Sequence, residues 1–216
     1  GSDDQYTQDI IVTAWRQESP LQDVPIALNA VTATEEGLGN LRLFRIPFPT
    51  TVAAQSQKQV AFLNVGNIRT RRIYQGWARS NWHFNDPEPL TISLRINNRR
   101  ADGLGRSLAA GNMAIFSAAG RLIGSDSQRD LAVGEEFDID VSESPNATVT
   151  TYQLEPLPGT NRDRRQVIVH NSNNFAITAE ISLGDFDEEE WQAEPRQRRH
   201  IAVIRGSRTW RRRVPA

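Results

Sequence analysis

The sequence contains no cysteine. Disulfides, zinc–thiolate centres and thiol nucleophiles are therefore excluded. Lacking cysteine fits a periplasmic protein without identifying the compartment. Lysine is nearly absent too: of 25 basic residues only Lys58 is a lysine and the rest are arginine. That bias has two readings, the codon habit of a GC-rich genome or bidentate recognition of carboxylate and phosphate by guanidinium groups. No apolar run approaches the roughly 20 residues that span a bilayer, so no transmembrane segment is expected. A formal net charge of −1 gives no global pull toward nucleic acid or an anionic membrane, and no nucleic-acid partner is expected. His83, His170 and His200 are the only histidines, and none sits in a metal-ligand spacing such as His-x-x-x-His. The Gly-x-Ser-x-Gly pattern of hydrolases is missing. No helical apolar stripe exceeds three turns, and there is no internal repeat. The chain reads as a non-enzyme, with no catalytic, cofactor-binding or metal-binding residue expected.

What is present is a succession of short extended runs. Leu41-Arg42-Leu43-Phe44-Arg45-Ile46 is stopped by Pro47 and Pro49, because proline offers no N–H to a sheet ladder and fixes φ. Thr50–Leu63 forms a second run, with Val60 and Phe62 on one side and Ala61 and Leu63 on the other, which predicts strand, loop, strand. Ile92, Leu94 and Ile96 alternate with Ser93, Arg95 and Asn97, the pattern of a half-buried strand. Asp102-Gly103-Leu104-Gly105 is a turn signal. Met113–Phe116 and Leu122-Ile123 predict a hairpin around Ala119-Gly120. Phe137, Ile139 and Val141 alternate with Asp138 and Asp140, predicting a strand with an acidic outer face, and Val149–Leu154 continues in kind. Val167-Ile168-Val169 and Phe175–Leu183 predict a hairpin around Asn171-Ser172-Asn173-Asn174, with Phe175, Ile177, Ala179 and Ile181 on one face. Ile201–Ile204 and Thr209–Val214 predict the last strands.

Strands at roughly 8–12-residue spacing with turns between them predict an all-β fold, an antiparallel, immunoglobulin-like β-sandwich or two packed sandwiches. Residues 1–38 read as an N-terminal extension or linker and 39–216 as the β-sandwich region. A split is expected near 156–165, where Pro156, Pro158 and Gly159 open a polar loop. Gly1-Ser2 reads as a cloning remnant, so a native leader is not expected to be visible.

The run LRLFRIPFPTTVAAQSQKQVAFL resembles the start of the domain-of-unknown-function 4139 family of bacterial proteins. Ile68–Ala78 (IRTRRIYQGWA), Leu90–Gly111 (LTISLRINNRRADGLGRSLAAG) and Val167–Ile181 (VIVHNSNNFAITAEI) fit the same family in the same order. The resemblance runs from Gly37 to Ala216. It implies a β-rich domain of the cell envelope, periplasmic or envelope-associated, with no established catalytic residue to carry over. Relatives usually continue with a closing strand after the position of Pro215-Ala216, so an open edge that a partner or a second copy fills is one expectation. Asp9–Ala14 (DIIVTA) and the following Trp15–Ala33 resemble the start of the plug of TonB-dependent receptors, over about 25 residues. Two readings stay open there: an extended peptide that engages TonB by strand addition, or a connecting segment that only looks alike.

Candidate contact residues are aromatic. Trp77, Trp82, His83 and Phe84 cluster near Pro87, either as loop packing or as a platform that stacks on a sugar or a partner. Trp210 stands among Arg196, Arg198, Arg199, Arg205, Arg208, Arg211, Arg212 and Arg213, with His200. That mixture can bind RNA or phosphate-rich headgroups, or it can neutralise the acidic run of Asp185, Asp187, Glu188, Glu189 and Glu190 across neighbouring strands. The acidic run lacks the glycine of an EF-hand loop and reads as a solvated loop. The expectation for function is a Gram-negative envelope protein that acts through protein–protein contacts. A carbohydrate-binding or carbohydrate-processing accessory module and a TonB-linked accessory protein are the alternatives.

Overall fold

A computed structural model of the chain describes residues 11–15, 34–38, 41–45, 63–78, 85–155, 158, 164–184 and 193–216. Thirteen strands account for nearly all of its regular structure: β1 Ile11–Trp15, β2 Thr34–Leu38, β3 Leu41–Arg45, β4 Leu63–Val65, β5 Thr70–Trp77, β6 Glu88–Asn97, β7 Gly111–Phe116, β8 Leu122–Gln128, β9 Glu136–Leu154, β10 Arg164–Asn171, β11 Ile177–Ser182, β12 Ile201–Ile204 and β13 Ser207–Val214. Among the described residues helix is limited to a 3-10 turn at Arg100–Asp102 and one α-turn, α1, at Pro195–Arg198. The described fold is therefore all-β, as the turn spacing predicts. β2 pairs with β3 as a separate two-stranded ribbon, β4-β1-β7-β8 form an antiparallel sheet, and β10-β9-β6-β5-β11-β13-β12 form a seven-stranded one. That last sheet is mixed and not wholly antiparallel as expected, because β5 and β11 run parallel.

The chain divides into two compact units, each assembled from two separate stretches. One comprises Gly1–Arg71 and Arg95–Ile139, the other Arg72–Leu94 and Asp140–Ala216. Of the loop expected to mark a boundary at 156–165, most residues lie outside those described.

In the first unit β7 is flanked by β1 and β8, and Met113, Ala114 and Ile115 are all buried, so both of its faces are covered. The expected β7–β8 hairpin is present. Ser117 N–H bonds the carbonyl of Arg121, and Gly120 takes the left-handed conformation (φ 74°) that the turn requires. Asn98 is fully buried and ties two loops together. Its side-chain amide donates to the carbonyls of Arg106 (2.6 Å) and Ala132 (2.8 Å), and its oxygen accepts from the Arg106 N–H. This accounts for its burial, since a buried amide without partners costs more than the fold can spare. At the turn foreseen at Asp102–Gly105, Gly103 (φ 92°) closes the 3-10 turn. A side chain there would meet the Asn67 carbonyl at 2.5 Å.

The strand expected to be half-buried, β6, is buried on both faces. Ser93 and Arg95 are as hidden as Leu94 and Ile96. The polar side chains of that second face are buried because each is paired, Ser93 with Gln75 and Asp140 and Arg95 with Asp138. Of the acidic outer face expected on β9, Asp140 is exposed but Asp138 is not. Asp138 is buried and takes a two-pronged pair from Arg95, Nε to Oδ1 and Nη2 to Oδ2, each 2.8 Å.

In the second unit the core is one apolar cluster: Tyr74, Ala78, Leu90, Ala147, Val149, Ile177, Ala179, Ile181 and Leu183, with Val167, Val169, Trp210 and Val214 packed on it. Residues of β10 and β9 thus share a core with residues of β11 and β13, several strands away in the sheet order. They are linked across one face of the sheet through Leu90 of β6 and Tyr74 of β5, which lie between them. Gly76 permits this closeness, since a Cβ there would lie 2.5 Å from Leu90 Cδ2 and 3.2 Å from Val149 Cγ1. β10 and β11 are not the hairpin the sequence suggests. β10 pairs with β9 at the sheet edge, while β11 lies between β5 and β13. The connection between them is held by Asn171, whose amide donates to the carbonyls of Phe175 (3.0 Å) and Pro215 (2.8 Å). Phe175, placed by periodicity on the core face with Ile177, precedes the strand and is exposed. The β12–β13 turn, Arg205-Gly206, has positive φ at both residues (52° and 79°), a turn that usually takes Asn-Gly.

Candidate functional site

Trp82, His83 and Phe84 lie outside the described residues. Trp77 and Trp210 are described, and the sheet separates them. Trp77 is the register partner of Ser182 and Trp210 the partner of Ile181. Ser182 and Ile181 are consecutive in β11 and point to opposite faces, so the two tryptophans do as well. Trp77 ends β5 and is 54% exposed. Trp210 packs on the apolar core, donates from Nε1 to Gln197 Oε1 (3.1 Å) and meets the His200 ring edge-on at 6.5 Å between centroids. One tryptophan is thus presented to solvent and the other is held in place by the fold.

The arginines of the C-terminal strand also divide by face. Arg211 is opposite Glu180 in the β11–β13 register and pairs with it at 2.6 Å, which neutralises a carboxylate that is itself buried. This is a cross-strand pair of the kind expected, made by a glutamate of β11. The acidic run of Asp185–Glu190 lies outside the described residues. Arg212 falls on the other face. The β12–β13 ladder runs from Ile204↔Ser207 to Ile201↔Trp210 and is carried one step further by the Arg211 N–H bonding the His200 carbonyl at 2.7 Å. Arg199 ends α1 in helical conformation and lies outside the ladder. Arg199 Nε donates to His200 Nε2 at 3.2 Å, so that nitrogen carries no proton. Partial burial and then the charges of Arg199 and Arg212 hold the imidazole below its ordinary value of 6.5.

The remaining polar clusters are internally paired. In the first unit Glu136 accepts from Arg71 Nη2 (2.7 Å) and lies 3.3 Å from Arg95 Nε, extending the Arg95–Asp138 pair into a row of alternating charge. In the second, Ser93 Oγ bonds both Gln75 (2.9 Å) and Asp140 (2.6 Å). Such groups hold strands together. Among the described residues no three His, Asp or Glu side chains gather as a metal site.

Two strands border the seven-stranded sheet. β12 has only four residues and is closed at once by the Arg205-Gly206 turn. β10 has eight, pairs with β9 along its whole length, and exposes Ile168 and His170. Among the described residues no strand pairs with its other side. The C-terminal strand β13, near which an open edge was expected, lies inside the sheet between β11 and β12. β1, the segment that resembles a TonB-engaging peptide, is hydrogen-bonded on both sides, to β4 and to β7. TonB pairing would require it to leave that sheet.

The sequence shows the tryptophans and counts the arginines, but not which of them face each other. Only the strand register sets Arg211 opposite Glu180 and puts Arg212 on the other face of β13. Arg95 carried one readable signal, a charged residue flanked by Leu94 and Ile96 in an otherwise apolar run.

Comparison of the chain with protein-family models, with curated proteins and with solved structures finds no match.

Proposed function

We propose that this chain is a non-enzymatic, immunoglobulin-like β-sandwich protein of a Gram-negative cell envelope that acts through protein–protein contacts, with the outer edge of β10 as the main contact. The observation that carries this reading is the character of that edge. An eight-residue strand whose outer side pairs with no other described strand is a template for strand addition, and sheets normally shorten, charge or cover such an edge. β10 carries Arg164 and Arg165 at one end only, and its Val167–Val169 stretch has no charge. The paired state of the buried Arg95, Asp138, Ser93 and Glu180 side chains fits a scaffold better than a reaction centre. Replacing Ile168 with proline removes an N–H and blocks pairing at the edge. Ile168→Lys changes the exposed side chain and keeps the backbone. Both variants are expected to lose capture of envelope proteins in a pull-down analysed by cross-linking mass spectrometry, with Ile168→Lys retaining the parent unfolding midpoint. Unchanged capture by both would refute the assignment.

Exposure of Trp77 favours a second reading, a carbohydrate-binding module that stacks a sugar ring on that indole. A glycan array with no hits, or hits unaffected by Trp77→Ala, counts against it.

A further inference from the structure

The centre of β10 reads the same in both directions. Val167-Ile168-Val169 lies between Gln166 and His170, and the strand's two arginines, Arg164 and Arg165, stand together at one end. Val167 and Val169 pack on the apolar core, while Ile168 points the other way and is 43% exposed. Among the described residues no strand pairs with the far side of β10. A strand added there is held in register by the side chains that come to lie opposite each other. A palindromic apolar centre is complementary to its own reverse. With a second β10 antiparallel to the first and Ile168 on the two-fold axis, Ile168 faces its counterpart, Val167 faces Val169, Gln166 faces His170 and Arg165 faces the neutral Asn171. All three β-branched residues then meet β-branched residues, and neither arginine stands opposite another charge. Moving the axis to Val167 sets Arg165 against Val169 and Arg164 against His170. Moving it to Val169 sets Asn171 against Val167 and His170 against Ile168. Parallel in-register pairing sets each arginine beside its own copy, which destabilises a ladder.

We propose that the occupant of the β10 edge is a second copy of this chain, paired antiparallel about a two-fold axis at Ile168. This rests on the reading of that edge as the protein's contact and names what fills it. An arrangement in which the same strand meets itself is closed, so it stops at two copies and does not propagate. It takes the exposed Ile168 side chain out of water against its counterpart. One strand from each copy is a small contact, so the dimer forms with rising concentration and the dilute chain is the monomer.

The mass of the purified full chain is measured by sedimentation velocity over a wide range of concentration. The expected result is a rise from the mass of one chain to that of two. Ile168→Lys and Ile168→Glu each set like charges opposite each other on the axis. Alone, each should weaken dimerisation about tenfold, and an equimolar mixture of the two should restore it. Restoration also shows that neither variant has unfolded. Ile168→Cys places the chain's sole thiol on the axis and should oxidise to a disulfide-linked dimer. Directly opposed residues of an antiparallel pair lie about 4.5–5.5 Å apart at Cα, within the span of a disulfide. Gln166→Cys should stay unlinked, because its counterpart is four positions further along the ladder, about 13 Å away. A single-chain mass at every concentration, with Ile168→Cys unlinked, overturns the proposal. So does a dimer that both charge variants leave intact, since its contact is then elsewhere. A pull-down with Ile168→Lys then separates this proposal from the reading it rests on. Lost capture of envelope proteins leaves the β10 edge its role with a different partner, and unchanged capture removes that reading too.

Discussion

Both units have apolar interiors, but they differ in what is set among those residues. In the first, Arg95 is buried at the level of its apolar neighbours because Asp138 and Glu136 meet every charge it brings. In the second, the interior is a continuous apolar cluster closed over Gly76. A paired ionic interior is unforgiving of single losses, because taking one partner away leaves a charge out of water without compensation. An apolar interior tolerates small changes of volume but resists added atoms where two strands touch. The difference teaches that burial alone does not identify a site, since a buried charge that is fully paired is part of the scaffold.

The largest expected effect breaks the ionic side of this comparison. Asp138→Ala should cost about 3–5 kcal/mol in chemical denaturation, while the double change Arg95→Met with Asp138→Leu should recover most of it, because both charges then leave together. A double variant as unstable as the single one would show that the pair does more than satisfy itself. Next comes the apolar side. Gly76→Ala should cost about 1–3 kcal/mol, since its methyl group must displace Leu90 and Val149. A neutral result would mean that the second core is looser than its distances indicate. A smaller effect of opposite sign is expected at the β12–β13 turn. Arg205→Asn places a residue that tolerates positive φ where arginine is now strained, and should raise stability by about 0.5–1 kcal/mol.

The smallest effects are pH-dependent. Glu135 accepts the Ala132 N–H at 2.6 Å and bonds Arg129, and these contacts hold its carboxyl below the ordinary 4.5. The folded state therefore favours the ionised form. Its contribution is present above pH 4.5 and is lost as pH falls through the lowered value. His200 is also lowered, so the folded state favours neutral imidazole. Its contribution is full above pH 6.5 and declines as pH falls from there. The unfolding midpoint measured against pH should show a shallow loss below 6.5 that His200→Gln abolishes.

Much of the strand content was legible because alternation and turn residues are local. The β7–β8 hairpin, Ile177-Ala179-Ile181 and Ile201–Ile204 come directly from period-two patterning and glycine-bearing turns. Pairing was not legible. Val167–Val169 and Ile177–Leu183 look like neighbours because four turn-forming residues separate them, yet β10 and β11 sit several strands apart. No residue in β5 or β11 announces that they run parallel. Units made of discontinuous stretches leave no break in composition at one point of the chain. For the candidate surfaces, exposed Trp77 was visible as an aromatic, whereas Trp210 looked equivalent until register set it on the core face. Glu180 and Arg211 lie far apart in the sequence, and only the β11–β13 register sets them opposite each other.

The most direct test of the account is amide hydrogen exchange along β10, measured in the purified chain and again in the complex recovered by cross-linking. Strand addition predicts that amides on the outer side of Arg164–Asn171 exchange fast in the isolated chain and become protected on association, while β6 is slow in both. Exchange in β10 that is unchanged by association, with protection appearing elsewhere, would contradict it.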